Sequence, residues 1–227
     1  MTDEEIEPTQ CNYKNKIIKL KTDSLDNEIT KSELIKNKLA NSKYNMNFSY
    51  IEKSENIKLS EIESEITTCN LPKNTNYEYI LCSYTNTNQN QKNIMDYLNE
   101  KAKIVDVKII LRIITDFHIT LHEALEELYN QTKIVHHSIN PTNIIISEEN
   151  IPIIQNFKEA KIMEPDEKIK DTNETPQSYD TYVLIQTFLN IIQNINIEDE
   201  TRTLEKYQNI LNSMLEGERS IKNITNI

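Results

Sequence analysis

The chain has 227 residues, enough for one ordinary domain or one two-lobed unit, and its 37% hydrophobic content supports a buried core. A formal charge of −11, from 25 Lys and Arg against 36 Asp and Glu, argues against a chain that wraps nucleic acid by itself, because phosphate binding rests on basic residues. A single glycine, Gly217, stands where average usage of roughly 7% would give about 16; this excludes a Walker loop, a dinucleotide-binding glycine turn and a glycine-rich phosphate lid.

Residues 1–10 (MTDEEIEPTQ) read as a disordered acidic tail, acidic where a secretory signal would be basic and then apolar. No stretch approaches the roughly 20 apolar residues of a membrane span. The expectation is a soluble protein of the cytoplasm, the nucleus or both, without membrane contact. Cys11, Cys69 and Cys82 are too few and too scattered for a disulfide framework or a metal site, and are expected to be free thiols. KIIKLK (16–21) suits a strand, and 25–42 carries Leu25, Ile29, Leu34, Ile35 and Leu39 near helical spacing. FSYI (48–51) and YEYILCS (78–83) are further strand-like pieces, and the polar TNTNQNQ (85–91) has no apolar period.

Beyond it the pattern turns helical: 93–101, then 105–130 with Ile110, Ile113, Ile114, Phe117, Leu121, Leu125 and Leu128 recurring at three and four. NIIIS (143–147) and IPIIQNF (151–157) read as two short strands about a turn at Glu149-Asn150, and helices follow over 179–193 and 201–215. The last-but-one helix is apolar on more than one face, as a core helix would be. The organisation expected is α+β: a small strand-rich lobe with one helix (11–84), a hinge or linker (85–92) and a helical lobe (93–227). With glycine almost absent, asparagine is the residue best able to take positive φ at turns.

The stretch HHSINPTN (136–143) is laid out like a catalytic loop without its acid. In the protein-kinase template a His-Arg-Asp is followed by an Asn five positions after the Asp, and an Asp-Phe-Gly comes later. Here Ser138 and Asn140 stand at signature positions of the loop, Asn143 keeps the Asn, and Gln155-Asn156-Phe157-Lys158 stands for the second motif, with two short strands between. Lys19 in KIIK sits at the strand lysine, Glu33 at its helix partner, His136 at the packing histidine, and Asp180 in SYDTYVL at the helix aspartate that props the loop.

From Lys16 to Arg219 the chain resembles the small atypical kinases of the KEOPS (EKC) complex, the PRPK type. The likeness includes Leu25-Asp26, NMNF (45–48), Thr142-Asn143-Ile144-Ile145, Asp180-Thr181-Tyr182-Val183-Leu184, the short run from Asn156 to Asp180, and the LEGERS that holds Gly217. The resemblance implies a protein-kinase-like two-lobed fold with a minimal C-terminal lobe. It implies ATP and Mg as cofactors, placed by Lys19, Glu33, Asn143 and Asn156. It further implies a place in the complex that installs threonylcarbamoyl-adenosine in tRNA, beside a carbamoyltransferase partner and touching tRNA only indirectly.

The departures weaken the chemistry. Ser138 lacks the basicity of a carboxylate near neutral pH, and the amide of Asn156, like that of Asn143, is a poor Mg ligand. The expectation is a pseudokinase, impaired in phosphoryl transfer and holding ATP and Mg weakly if at all. A free-standing pseudokinase that regulates signalling through protein binding is the competing reading. A residual ATPase or kinase would show Mg-dependent turnover lost on Lys19→Ala, and a helical interaction protein with accidental motifs would lack a five-stranded small lobe. His118, His122 and Glu126 share a helical face and would suit zinc, but the order differs from His-Glu-x-x-His, and structural burial is the expected role.

Overall fold

A computed structural model describes residues 11–13, 16–58, 78–86, 91–169, 174–197 and 203–215. The expected tail (1–10) and half of the expected linker (87–90) lie outside the described residues. The fold is mixed α and β, compatible with α+β. A four-stranded antiparallel sheet runs in the order β1 (Cys11–Tyr13), β2 (Lys16–Leu20), β4 (Tyr79–Tyr84), β3 (Ile51–Ile57), so among the described residues it has four strands, not five.

Helix α1 (Asp23–Leu39) covers one face of this sheet. Thr22 caps it by accepting from the Leu25 amide, and Asp23 and Asp26 open it while Lys36 and Lys38 close it, each charge on the favourable end of the helix dipole. Its inward stripe is Leu25, Glu28, Ser32, Ile35 and Leu39. Leu25 packs with Ile51, Ile80 and Cys82, while the alternate residues Tyr79 and Leu81 pack on the opposite face with Cys11 and Ile18, the period of two that a pleated strand imposes.

The remainder is built on α3 (Val107–Thr132), started by Asp106 accepting from the Lys108 and Ile109 amides, with α2 (Ile94–Ala102), α4 (Pro176–Asn194) and α5 (Thr203–Leu215) around it. The buried positions Ile110, Ile114, Phe117, Leu121, Leu125 and Leu128 follow the expected three-and-four spacing. Small antiparallel ladders complete the fold: β5 (Lys92–Asn93), β7 (Ile144–Ile146) and β8 (Pro152–Ile154) in one, β6 (Ile134–Val135) with β9 (Lys161–Ile162) in the other. One apolar core runs through both parts, joining Ile35 and Leu39 of α1 and Phe48 to Ile110, Leu121, Phe188 and Tyr207. The segment before β3 is bonded to β8: Asn47 donates to the Pro152 carbonyl at 2.8 Å and the Ser49 amide to that of Ile154 at 2.8 Å.

Two sequence expectations change. FSYI is not a strand; Phe48 makes an isolated bridge to Ile154, and the strand is the following, mostly polar Ile51–Ile57. Cys11 is disulfide-bonded, against the free-thiol expectation, while Cys82 is free and buried. Among the described residues five non-glycine positions take positive φ: Asn86, Lys133, His137, Asn150 and Asn156. Three of them are asparagines, as glycine scarcity leads one to expect. Lys133, at φ 60, ends α3 with its amide bonded to the Tyr129 carbonyl. Lys133→Gly relieves a left-handed side-chain clash, and thermal unfolding should show a gain of about 1 kcal/mol.

Candidate functional site

The loop between β6 and β7 is held from below by α4. Asp180 is buried, and its carboxylate accepts from the His136 amide at 2.6 Å and the His137 amide at 3.1 Å. Burial pushes its pKa up to about 7, against the pull of the two amides toward ionisation. His136 is fully buried; its Nε2 lies 3.1 Å from the Gln155 carbonyl, and its ring meets Phe157 edge-on at 4.7 Å. Desolvation lowers its pKa to about 4, so the ring is neutral. Thr187 donates to the Ile139 carbonyl at 3.1 Å, tying a second point of the loop to α4.

Within the loop Asn140 acts as a cap. Its Oδ1 accepts from the Thr142 amide, the Thr142 hydroxyl and the Asn143 amide, which starts the short 3-10 turn Pro141–Asn143. Asn143 then sits between Ser138 and Asn156. Its Nδ2 donates to the Ser138 carbonyl at 2.7 Å and the Ser138 hydroxyl at 3.2 Å, and its Oδ1 accepts from Asn156 Nδ2 at 3.3 Å. Ser138 and Asn156 are therefore two contacts of one side chain. Asn156 reaches this place from a left-handed backbone at φ 69, and the Gln155 amide bonds the Asn143 carbonyl at 3.0 Å.

Opposite the loop, Lys19 of β2 pairs with Glu28 of α1 at 3.0 Å. This corrects the expected pairing with Glu33. Glu28 lies on the buried stripe of α1, whereas Glu33, five residues on, has turned to solvent and lines a separate shallow cleft with Ile29 and Glu52. The second oxygen of Glu28 accepts from the Tyr84 hydroxyl at 3.1 Å, and Lys19 Nζ lies 5.2 Å from the Tyr84 ring centre. Lys19, Glu28, Tyr84, Ile17, Ser49, Asn143, Gln155 and Asn156 line one cavity of about 320 Å³.

The pair gives a direct comparison of two carboxylates on one helix. Glu28→Ala removes the buried carboxylate that Lys19 and the Tyr84 hydroxyl share, and urea unfolding should show a loss of about 2 kcal/mol. Glu33→Ala should stay within about 0.5 kcal/mol.

Chemically, the loop has no general base at Ser138. A nucleophilic or acid–base serine needs a base within hydrogen-bond reach, but its hydroxyl meets an amide N–H of Asn143, which is a donor. Asn143 Oδ1 accepts from Asn156 Nδ2 and both oxygens of Glu28 are engaged, and neutral amide oxygens are weaker Mg ligands than carboxylates.

The histidines considered for zinc face different partners. His118 is fully buried, with Nδ1 3.1 Å from the Tyr207 hydroxyl and its ring stacked on Phe188 at 4.7 Å, while His122 Nδ1 lies 3.2 Å from the Thr181 hydroxyl. Desolvation lowers the pKa of His118 to about 3. Among the described residues no group of three His, Cys, Asp or Glu side chains is placed to hold a metal ion, and no helix is long and apolar enough to cross a membrane.

Of the residues singled out in the sequence, Lys19, Asn143 and Asn156 line the cavity and Asp180 and His136 lie behind the loop, while Glu28, Tyr84 and Ser49 were not singled out as site residues. Glu28 had a signal: it is the carboxylate three residues after Leu25 and four before Ser32, on the inward stripe. Neither a scan against known protein families nor a search of curated proteins returns a match.

Proposed function

We propose that this protein is a minimal protein-kinase-like pseudokinase, which works by docking to other proteins as a subunit of a KEOPS-type complex for threonylcarbamoyl-adenosine in tRNA. The single observation that carries the reading is Asn143 bonded to both Ser138 and Asn156, facing a Lys19–Glu28 pair across one cavity. Two motifs aligned by sequence spacing alone meet there in space. Asp180 supports the loop through the His136 and His137 amides, the place the resemblance gives it.

Phosphoryl transfer depends on positioning and charge neutralisation, and the bonded amides at Asn143 and Asn156 supply little of either. Neutral amides at Asn143 and Asn156 suit Mg poorly. What remains is a rigid frame. The short connection from Phe157 to α4 favours the reduced KEOPS branch over longer kinases. The acidic net charge of −11 suits protein contact over direct tRNA contact.

The test is recovery of the tagged chain from its own cells with identification of what accompanies it. A carbamoyltransferase as main partner is the expected result. Signalling proteins in its place would favour a free-standing pseudokinase scaffold.

A further inference from the structure

A cavity of about 600 Å³ shares no lining residue with the one around Lys19. The segment after α1 gives it Tyr44 and Met46, α2 gives Tyr97, α3 gives Phe117, and the chain entering β8 gives Ile151. Hydrogen bonds fix its walls: Tyr44 donates to Glu123 at 2.6 Å, Tyr97 to Asn150 at 2.7 Å, and Asn47 to the Pro152 carbonyl at 2.8 Å. A second cavity of about 300 Å³ adjoins it through Tyr97, Lys101 and Asn150, so the two make one elongated groove. Met46, 49% exposed, stands on the first part and Ile104, 74% exposed, on the second. Exposed apolar side chains rimming an apolar hollow mark an interaction surface.

The charges of the groove are satisfied unevenly. Of its carboxylates, Glu100 is bonded by Lys92, Asp116 faces Arg112 at 4.0 Å, and Glu148 is engaged as well. Lys43 and Lys101 make no ion pair among the described residues. Each ammonium lies over a ring instead, 4.5 Å from the centre of Tyr44 and 5.3 Å from that of Tyr97. Glu123, near enough to support the Lys43 charge, is taken up by the Tyr44 hydroxyl.

We infer that this groove docks a short extended segment of a partner protein, which sets acidic side chains on Lys43 and Lys101 and an apolar side chain in the hollow of Tyr44, Tyr97 and Phe117. The inference goes beyond the proposed role and does not rest on it, since the groove lies apart from the 136–143 loop. Two hollows that run into one another suit an extended chain better than a compact ligand. Carboxylates complete the two ammonium groups that have only rings beside them and so set specificity, while the apolar anchor supplies affinity. Walls already held by hydrogen bonds keep the cost of ordering on binding low.

The experiment is selection from a displayed library of random peptides on the purified full chain, then calorimetric titration of the strongest selected peptide. The expected peptides carry Asp or Glu on both sides of a Leu, Phe or Trp. Lys43→Gln combined with Lys101→Gln should weaken the selected peptide about tenfold, and Met46→Ser combined with Ile104→Ser by about as much. Lys53→Gln, on β3, should leave it unchanged. None of these side chains is fully buried, so the variants should unfold at the parent's midpoint. The inference is overturned by no enrichment, by selection of basic or uncharged peptides, or by a selected peptide indifferent to the lysine pair. It is equally overturned by a single-stranded RNA oligomer that displaces the peptide, or by a dimer in sedimentation that is lost in Met46→Ser with Ile104→Ser, which would give the groove to a second copy of the chain. A chain that selects no peptide yet co-purifies with the carbamoyltransferase would lose this inference and keep the proposed role.

Discussion

Asp180→Ala should lower the unfolding free energy by about 4 kcal/mol in urea titration, because it strands two buried amides at roughly 1 to 3 kcal/mol each. Those amides belong to His136 and His137, so the change releases the whole loop that presents Ser138 and Asn143. Asp180→Asn retains one oxygen and sets an amide N–H against a backbone N–H, and should lose about half as much. The site should suffer more than the core: hydrogen exchange of the 136–143 amides should rise in Asp180→Asn while the middle of α3 stays protected.

Acidification from pH 7 to pH 4 should remove about 3 kcal/mol of stability. His118 and His136 are neutral in the folded state, with pKa values held down to about 3 and about 4 by burial, against about 6.5 for the unfolded chain. Below pH 6.5 the unfolded chain therefore binds more protons, and stability falls by about 1.4 kcal/mol per pH unit for each ring, reaching about 3 kcal/mol apiece near pH 4. Asp180 acts in the opposite sense. Its folded pKa of about 7 lies above the unfolded 3.8, so the folded state takes up the proton first and recovers about 3 kcal/mol over the same interval. His118→Phe should flatten the acid limb by about one proton, and Asp180→Asn should steepen it. Urea midpoints measured across this pH range read both slopes.

The helices were legible because α3 repeats its apolar residues at three and four for more than six turns, a signal tertiary context cannot disguise. Asp180 was legible because its neighbours Tyr179, Tyr182 and Val183 bracket it in a recognisable run. β3 was not, since IEKSENI has little apolar alternation and is held by backbone pairing to β4. FSYI misled for the converse reason: Phe48 and Tyr50 are apolar because they enter the main core, not because they extend a ladder. The two-residue strands β5, β6 and β9 are too short to leave a pattern. Glu33 follows from the resemblance, whereas the signal at Glu28 is faint because a charged residue inside an apolar stripe looks like an interruption of it. In the fold Glu28 is bonded by both Lys19 and Tyr84.

On the proposed reading, a kinase-like frame persists without its chemistry. Asn143 holds Ser138 and Asn156 in place through neutral hydrogen bonds that ask for no metal and no phosphate. Turnover of labelled ATP by the purified chain in Mg tests this most directly. The account predicts release of phosphate at the background rate, unchanged by Lys19→Ala. Mg-dependent release well above background, abolished by Lys19→Ala, would contradict it.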